Sequence, residues 1–311
     1  MVTLSKTVPV SSPLGAFFSS WKGIYSDYCA VTKPGLVFFI LLSVYVNYSF
    51  ASFQAALEWV VVPMLFGSYF SASGAHILNQ FFEVKSDRLM LRTASRPFCV
   101  GKWGKKGVGF GIFLSLAGVL VHYFYVNPLT AGVTLATLLA YIFFYTPLKK
   151  ITIWNTWVGA IAGALPALSG WSAKWNHLPT EAYILPLLIF FWQMPHFLAL
   201  AYKYKEQYKK AGLRMFPEFD AGGKTVGLLM LVHGVGLLEI SLLPYFFGIA
   251  GKVYFAYSFF LGVWLVWKIA KFYARPSEKL AGKVFMDTNF YLIFLYALIL
   301  LEKQVHAFFV L

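Results

Sequence analysis

Residues 57–97 run LEWVVVPMLFGSYFSASGAHILNQFFEVKSDRLMLRTASRP. From Leu57 to Leu78 the stretch holds one formal charge, Glu58, and is about as long as a helix must be to cross the hydrocarbon core of a bilayer. Beyond Leu78 it turns polar with no glycine or proline to stop the helix before Pro97. The stretch therefore reads as a membrane-spanning helix that carries a charged, chemically equipped end to the bilayer surface.

The same alternation of apolar run and polar break recurs along the chain. Spans are predicted near residues 36–52, 57–78, 107–125, 128–146, 153–172, 181–202, 225–247, 252–272 and 286–309. With 59% hydrophobic and 12% charged residues over 311 positions, and a mean hydropathy of +0.67, the chain excludes a soluble domain. The expected fold is all-α: a polytopic membrane protein of about nine transmembrane helices in a single bundle with a central cavity, its solvent the lipid bilayer.

A net charge of +14 could suggest a nucleic-acid partner, but the basic residues sit in short loops between apolar runs. They act instead as topology signals and anion ligands, so no nucleic acid is expected. Nine spans place 23 of the 26 lysines and arginines on one side, beginning with Lys6, Lys22 and Lys33, and leave Lys174, Lys252 and Lys303 on the other. The basic-rich side is expected to be cytoplasmic, with the N-terminus and the polar loops on it and the C-terminus opposite. The first 34 residues lack a compact apolar core with a cleavage site, which argues against a secretory signal. The short tail favours a bacterial inner membrane, with the mitochondrial inner membrane as the alternative. Cys29 and Cys99 are far apart and lack metal-ligand spacing, so neither a disulfide framework nor a zinc site is expected.

Asn79, Glu83 and Asp87 follow at i, i+4 and i+8, positions that drift by only about 80° around a helix and so share one face. Three oxygen ligands on one face suit a hard cation such as Mg²⁺, which usually shares its shell with substrate phosphates. Arg88, Arg92 and Arg96 repeat at the same spacing, with Lys85 beside them, and bidentate guanidinium groups suit a diphosphate. The bland alternative is a helix end whose charges merely pair with one another, and a second polar segment on the same side weakens it. In that second segment, Trp192-Gln193-Met194-Pro195-His196-Phe197 puts Gln193 and His196 inside an apolar span, where polar groups usually face a cavity or the bundle interior. Pro195 is expected to kink the span. Tyr202 to Tyr208 follows, with Glu206 and Gln207 as further oxygen donors. Tyr145, Lys149 and Lys150 close the fourth span on the same side and could complete an anion cage, although ordinary positive-inside anchoring explains the lysines almost as well.

With Thr32-Lys33-Pro34, Asn79 to Pro97, Tyr145 to Lys150, Asn155 to Ala160 and the Trp-Gln-Met-Pro-His-Phe string in hand, the sequence resembles the UbiA-type intramembrane prenyltransferases over most of its length. Arg92-Thr93, Arg96-Pro97 and the Trp192 string resemble the haem-modifying branch of that family. The resemblance implies residues 1–34 as an N-terminal cytoplasmic segment and 35–311 as one transmembrane prenyltransferase domain. It also implies Mg²⁺-dependent transfer of farnesyl from farnesyl diphosphate to a vinyl group of haem B, giving haem O for terminal oxidases. Partners would then include haem A synthase or oxidase assembly factors.

The resemblance puts Asn79, Glu83 and Asp87 on the metal and diphosphate and gives His196 a share in the chemistry. Two departures stand out. Glu83 replaces the family's usual Asp, keeping the carboxylate. Gln207 precedes Tyr208 where relatives usually have Asp and offers an oxygen but no charge, so either Glu206 stands in at a second metal position or that position is weaker. Rival readings are the same fold acting on another aromatic acceptor such as a quinone precursor, a membrane transporter, and a non-catalytic assembly partner of an oxidase. A transporter would distribute polar groups through its spans, whereas here the charges gather at one face.

Overall fold

The computed structural model describes residues 13–51, 58–220 and 222–310, and no strand occurs among them. The helices are α1 (Pro13–Thr32), α2 (Pro34–Ala51), α3 (Val61–Asp87), α4 (Lys105–Tyr125), α5 (Pro128–Leu139), α6 (Thr146–Leu148), α7 (Asn155–Ala164), α8 (Leu168–Trp175), α9 (Ile184–Lys203), α10 (Lys205–Lys210), α11 (Lys224–Phe246), α12 (Lys252–Ala274) and α13 (Glu278–Val310). Among the described residues, eight stretches are long and apolar enough to cross a membrane. Lys6 and the predicted span ends at Ser52 and Leu57 lie outside the described residues, as do the side chains of Lys22 and Lys303.

The fifth predicted span, 153–172, is interrupted. α7 and α8 are joined by a 3₁₀ turn, Leu165–Ala167, built around Pro166, which cannot continue an α-helix without losing a backbone bond. The pair still crosses the bundle. At its start Asn155 Nδ2 donates to the Arg214 carbonyl at 2.7 Å, among the basic loops, and at its end Trp175 Nε1 donates to the Ala51 carbonyl at 2.9 Å, at the far end of α2. About nine crossings therefore hold, one of them made of two short helices. α9 runs unbroken through Pro195 from Ile184 to Lys203.

Local chemistry explains the boundaries that matter. Asn127 caps α5 by accepting from the Thr130 amide at 2.8 Å, with Pro128 at the first helical position. Between α5 and α6 the backbone becomes π-helical over Ala140–Tyr145, and Thr146 Oγ1 donates back to the Tyr141 carbonyl at 2.8 Å. Single π turns of this kind accommodate one extra residue and often mark functional sites.

Small residues bring helices together where lipid supplies no hydrophobic drive. A Cβ added at Gly74 would meet the Gly111 carbonyl at 2.6 Å, so α3 and α4 pack backbone to backbone. α1 is a feature the sequence did not announce. It docks on α3, where Gln80 Nε2 donates to the Val31 carbonyl at 2.8 Å and the Tyr28 and Tyr69 hydroxyls meet at 2.6 Å. Its end delivers Lys33.

Candidate active site

α3 does not stop at Leu78; it continues to Asp87, so Asn79, Glu83 and Asp87 lie on successive turns of one helix, and all three are buried. Asp87 Oδ2 pairs with Arg96 Nη1 at 2.5 Å, and Glu83 Oε1 pairs with Lys149 Nζ at 2.6 Å. Asn79 Nδ2 donates to Thr146 Oγ1 at 3.1 Å, linking α3 to the residue that closes the π-helical segment. The three partners come from two stretches: Arg96 from the loop that follows α3, and Thr146 and Lys149 from the two ends of α6.

These groups line a polar cavity of about 290 Å³. Four basic side chains, Lys33, Arg92, Arg96 and Lys149, face it against two carboxylates, Glu83 and Asp87. The excess of positive charge suits a polyanion more than a lone cation. Arg92 Nη2 donates to the Tyr208 hydroxyl at 3.4 Å and its guanidinium lies over the Tyr204 ring at 5.6 Å. Burial of Tyr208 pushes its pKa up, so the phenol stays protonated and available as a donor.

Lys33 stood out in the sequence as part of the Thr32-Lys33-Pro34 string but not as a site residue, and the structure makes it a wall of the site. Its φ of 54° is a left-handed conformation between α1 and α2, unusual for a residue with a Cβ and costing on the order of 1 kcal/mol or more. Pro34 fixes the start of α2 directly after it. Burial pushes the Lys33 pKa down to about 7; repulsion from Arg96 and Lys149 adds to this, and attraction to Glu83 and Asp87 opposes it. An anion in the cavity would pull its proton back.

Other candidates fall outside the cavity. Lys85, Arg88 and Lys150 are exposed, Arg88 donating from Nε to the Cys99 carbonyl at 3.0 Å. Glu206 is exposed and Gln207 half-buried on α10, and neither lines the cavity, whereas their neighbour Tyr208 does. The sequence pointed to the right segment but to the wrong face of it, because the turn at Tyr204 resets the helical phase before α10 begins. Among the described residues no group of three His, Cys, Asp or Glu side chains forms a ready-made metal cage. Asn79, Glu83 and Asp87 nonetheless fit Mg²⁺, which takes one or two protein carboxylates and completes its shell with water and substrate phosphate.

Deeper in the bundle a second cavity, of about 350 Å³, is mostly apolar. Leu36, Tyr141, Tyr145 and Phe197 line both cavities and form their common wall. Gln193 and His196 belong to this inner chamber. Gln193 Nε2 is occupied by the Ala160 carbonyl at 3.1 Å, and His196 Nδ1 meets Thr288 Oγ1 at 2.9 Å. The His196 ring lies between Trp192, stacked with centroids 4.7 Å apart, and Phe285 at 4.3 Å.

A polyanion pocket sharing a wall with an apolar chamber inside a helical membrane bundle is the layout of an enzyme that handles a lipid diphosphate. Residues 36–297 match the UbiA prenyltransferase family, and the chain belongs to that family. Among curated relatives, protoheme IX farnesyltransferase of Solibacter usitatus is 34% identical over 288 residues, covering 89% of this chain and 98% of the relative. The protein of the same name from Opitutus terrae is 34% identical over 274 residues, covering 86% and 91%. Among solved structures, a digeranylgeranylglyceryl phosphate synthase superposes with a TM-score of 0.75 at 18% identity over 90% of this chain and 98% of that one. A UbiA homologue from Archaeoglobus fulgidus bound to GPP and Mg²⁺ superposes with a TM-score of 0.63 at 16% identity, over 88% and 99%. Both share the fold.

Proposed function

We propose that the chain transfers the farnesyl group of farnesyl diphosphate to a vinyl group of haem B, giving haem O, at the bacterial inner membrane with the polar chamber on the cytoplasmic side. The observation that carries the prenyl-transfer chemistry is the pair of chambers with a shared wall: a basic pocket of about 290 Å³ against a mostly apolar chamber of about 350 Å³. The acceptor is inferred from the relatives named protoheme IX farnesyltransferase. The orientation follows from the basic residues, which gather at the same end of the bundle as the polar chamber.

In this mechanism Arg92, Arg96, Lys149 and Lys33 bind the diphosphate and stabilise the charge that builds on it as the allylic C–O bond breaks. Mg²⁺, held by Glu83, Asp87 and the amide oxygen of Asn79, would neutralise further charge on the leaving group. The farnesyl cation is left beside Tyr141 and Tyr145, whose ring faces stabilise a cation without trapping it as a nucleophile would. A haem vinyl carbon attacks the terminal carbon of the cation. Water then adds to the cationic centre left on the former vinyl group and loses a proton, so farnesyl diphosphate, haem B and water become haem O and pyrophosphate.

The test is to give purified protein haem B, farnesyl diphosphate and Mg²⁺ and to weigh the haem product while counting released pyrophosphate. One farnesylated, hydrated haem per pyrophosphate is expected. Prenylation of a quinone precursor in preference to haem would overturn the acceptor assignment and leave prenyl transfer standing.

A further inference from the structure

α11 crosses the membrane with a single carboxylate in its interior. Glu239 lies well inside the helix that begins at Lys224, and the apolar turns from Ile240 to Phe246 follow it before the helix ends. At 1.5 Å per residue its Cα lies about 10 Å from the nearer end, and the tilt of Cβ in a helix aims the side chain toward the N-terminus, deeper into the bilayer. Glu239 is exposed on the outside of the bundle. Among the described residues it is the one carboxylate in the interior of a span with neither a hydrogen bond nor an ion pair. Glu83, Asp87 and Asp287 pair with Lys149, Arg96 and Lys268, and Glu302 accepts from the Gly251 amide at 3.0 Å. Hydrocarbon offers Glu239 no donor, and ionisable groups at such depth are costly to keep and usually functional.

The rest of α11 divides by side. Gly227 and Gly234 let it approach Tyr273 and Ile269 of α12, and Gly236 lets it approach Phe191 of α9. On the outer side Leu228, Val232, Val235, Glu239, Leu242 and Phe246 follow one another at alternating steps of four and three, all exposed except the half-buried Leu242. That spacing is the seam along which two parallel helices pack, and a single polar residue on such a seam sets its register. No residue of α11 lines either chamber, so a helix seated on the seam touches the lining of neither.

A two-fold axis along the bilayer normal places every residue opposite its own copy at the same depth. Glu239 then faces Glu239. A carboxylic acid donates through its hydroxyl and accepts through its carbonyl oxygen, so two such groups satisfy each other without a third chain. We propose that the outer face of α11 is a dimer interface between two copies of this chain, with the facing Glu239 side chains hydrogen-bonded across the axis as its polar centre. The interface stands or falls independently of the prenyl acceptor.

The test uses the whole chain in phosphatidylcholine vesicles, with energy transfer between donor- and acceptor-labelled copies followed as the protein is diluted in lipid. The unaltered protein should dimerise. Glu239→Leu, which suits hydrocarbon but removes the hydrogen bonds, should raise the dissociation constant by about tenfold, the scale of an interhelical hydrogen bond in a bilayer. Glu239→Gln, whose amide also donates and accepts, should keep the dimer. Crosslinking gives a reading that needs no change at Glu239. With Cys29 and Cys99 replaced by serine, oxidation should join copies carrying Val235→Cys and leave separate those carrying Phe113→Cys, an exposed position on α4. A monomer at every dilution, undiminished dimerisation of Glu239→Leu, failure of Glu239→Gln to dimerise, or crosslinking through Phe113→Cys and not Val235→Cys would overturn the proposal.

Discussion

In the polar chamber, side chains are held in place by one another: Glu83 by Lys149, Asp87 by Arg96 and Asn79 by Thr146, each partner arriving from outside α3. In the apolar chamber next to it, space is created by what the helices lack, with Ser71, Ala72, Gly159 and Gly163 facing inward where larger residues would fill it. One chamber is specified by charge pairs and the other by missing volume. Substitutions should therefore act on them through different physics: loss of a partner in the first, gain of atoms in the second.

The largest expected effect is at Asp87. Asp87→Ala removes a metal-binding carboxylate and leaves Arg96 without its partner, and turnover should drop by about 10³-fold, the scale for losing one preorganised electrostatic group. Haem product and pyrophosphate should fall together; a variant that releases pyrophosphate normally without making haem O would break the division of labour between the chambers. Next comes the Glu83–Lys149 pair, which is nearly buried. Glu83→Gln or Lys149→Met alone should destabilise the bundle by about 3 kcal/mol, and the double variant by clearly less than the sum, because neither charge is then left unpaired. Unfolding in detergent measures the cycle, and strictly additive losses would show that the pair is not coupled.

What the sequence disclosed follows the same division. Charges standing out against apolar spans announced the polar chamber, and Asn79, Glu83, Asp87, Arg92, Arg96, Tyr145 and Lys149 all face it. Lys33 escaped because nothing in a Thr-Lys-Pro string reports a positive φ, and Tyr208 escaped because the chain turns at Tyr204 before α10. Glu206, chosen for its carboxylate, points to solvent for the same reason. The apolar chamber was illegible beyond Gln193 and His196, since which face of an apolar span turns inward is decided by tertiary packing and not by periodicity against lipid.

Two smaller effects sharpen the contrast. Ala162→Leu adds volume to the apolar chamber alone and should weaken haem use by roughly 1–3 kcal/mol, the usual cost of overpacking, while inorganic pyrophosphate with Mg²⁺ binds as before. Calorimetry with pyrophosphate beside haem turnover separates the two; a matching loss of pyrophosphate affinity would mean that the chambers are not independent. The smallest effect is the pH response of Lys33. With its native pKa lowered to about 7, the lysine is neutral in the folded protein over a range in which it is still charged in the unfolded chain, so its contribution makes folding more favourable as pH rises above 7. A bound anion has the opposite preference. Relative to Lys33→Met, pyrophosphate affinity should be full below pH 7 and decline above it by at most about tenfold per pH unit, as titration at several pH values would show. Parallel pH profiles for the two proteins would remove Lys33 from the anion site.

The π-helical stretch from Ala140 to Tyr145 sets the azimuth of everything that follows it. Its wider turn holds one residue more than an α-helix would, and relaxing it to α geometry with every residue kept would rotate Lys149 by about 100° about the axis. Such a change of winding alters no charge and removes no side chain, yet it would swing the ammonium away from Glu83 and the polar chamber. The position of that cation is encoded in how one turn is wound, and a chain with every motif intact but that turn tightened would be an inactive one.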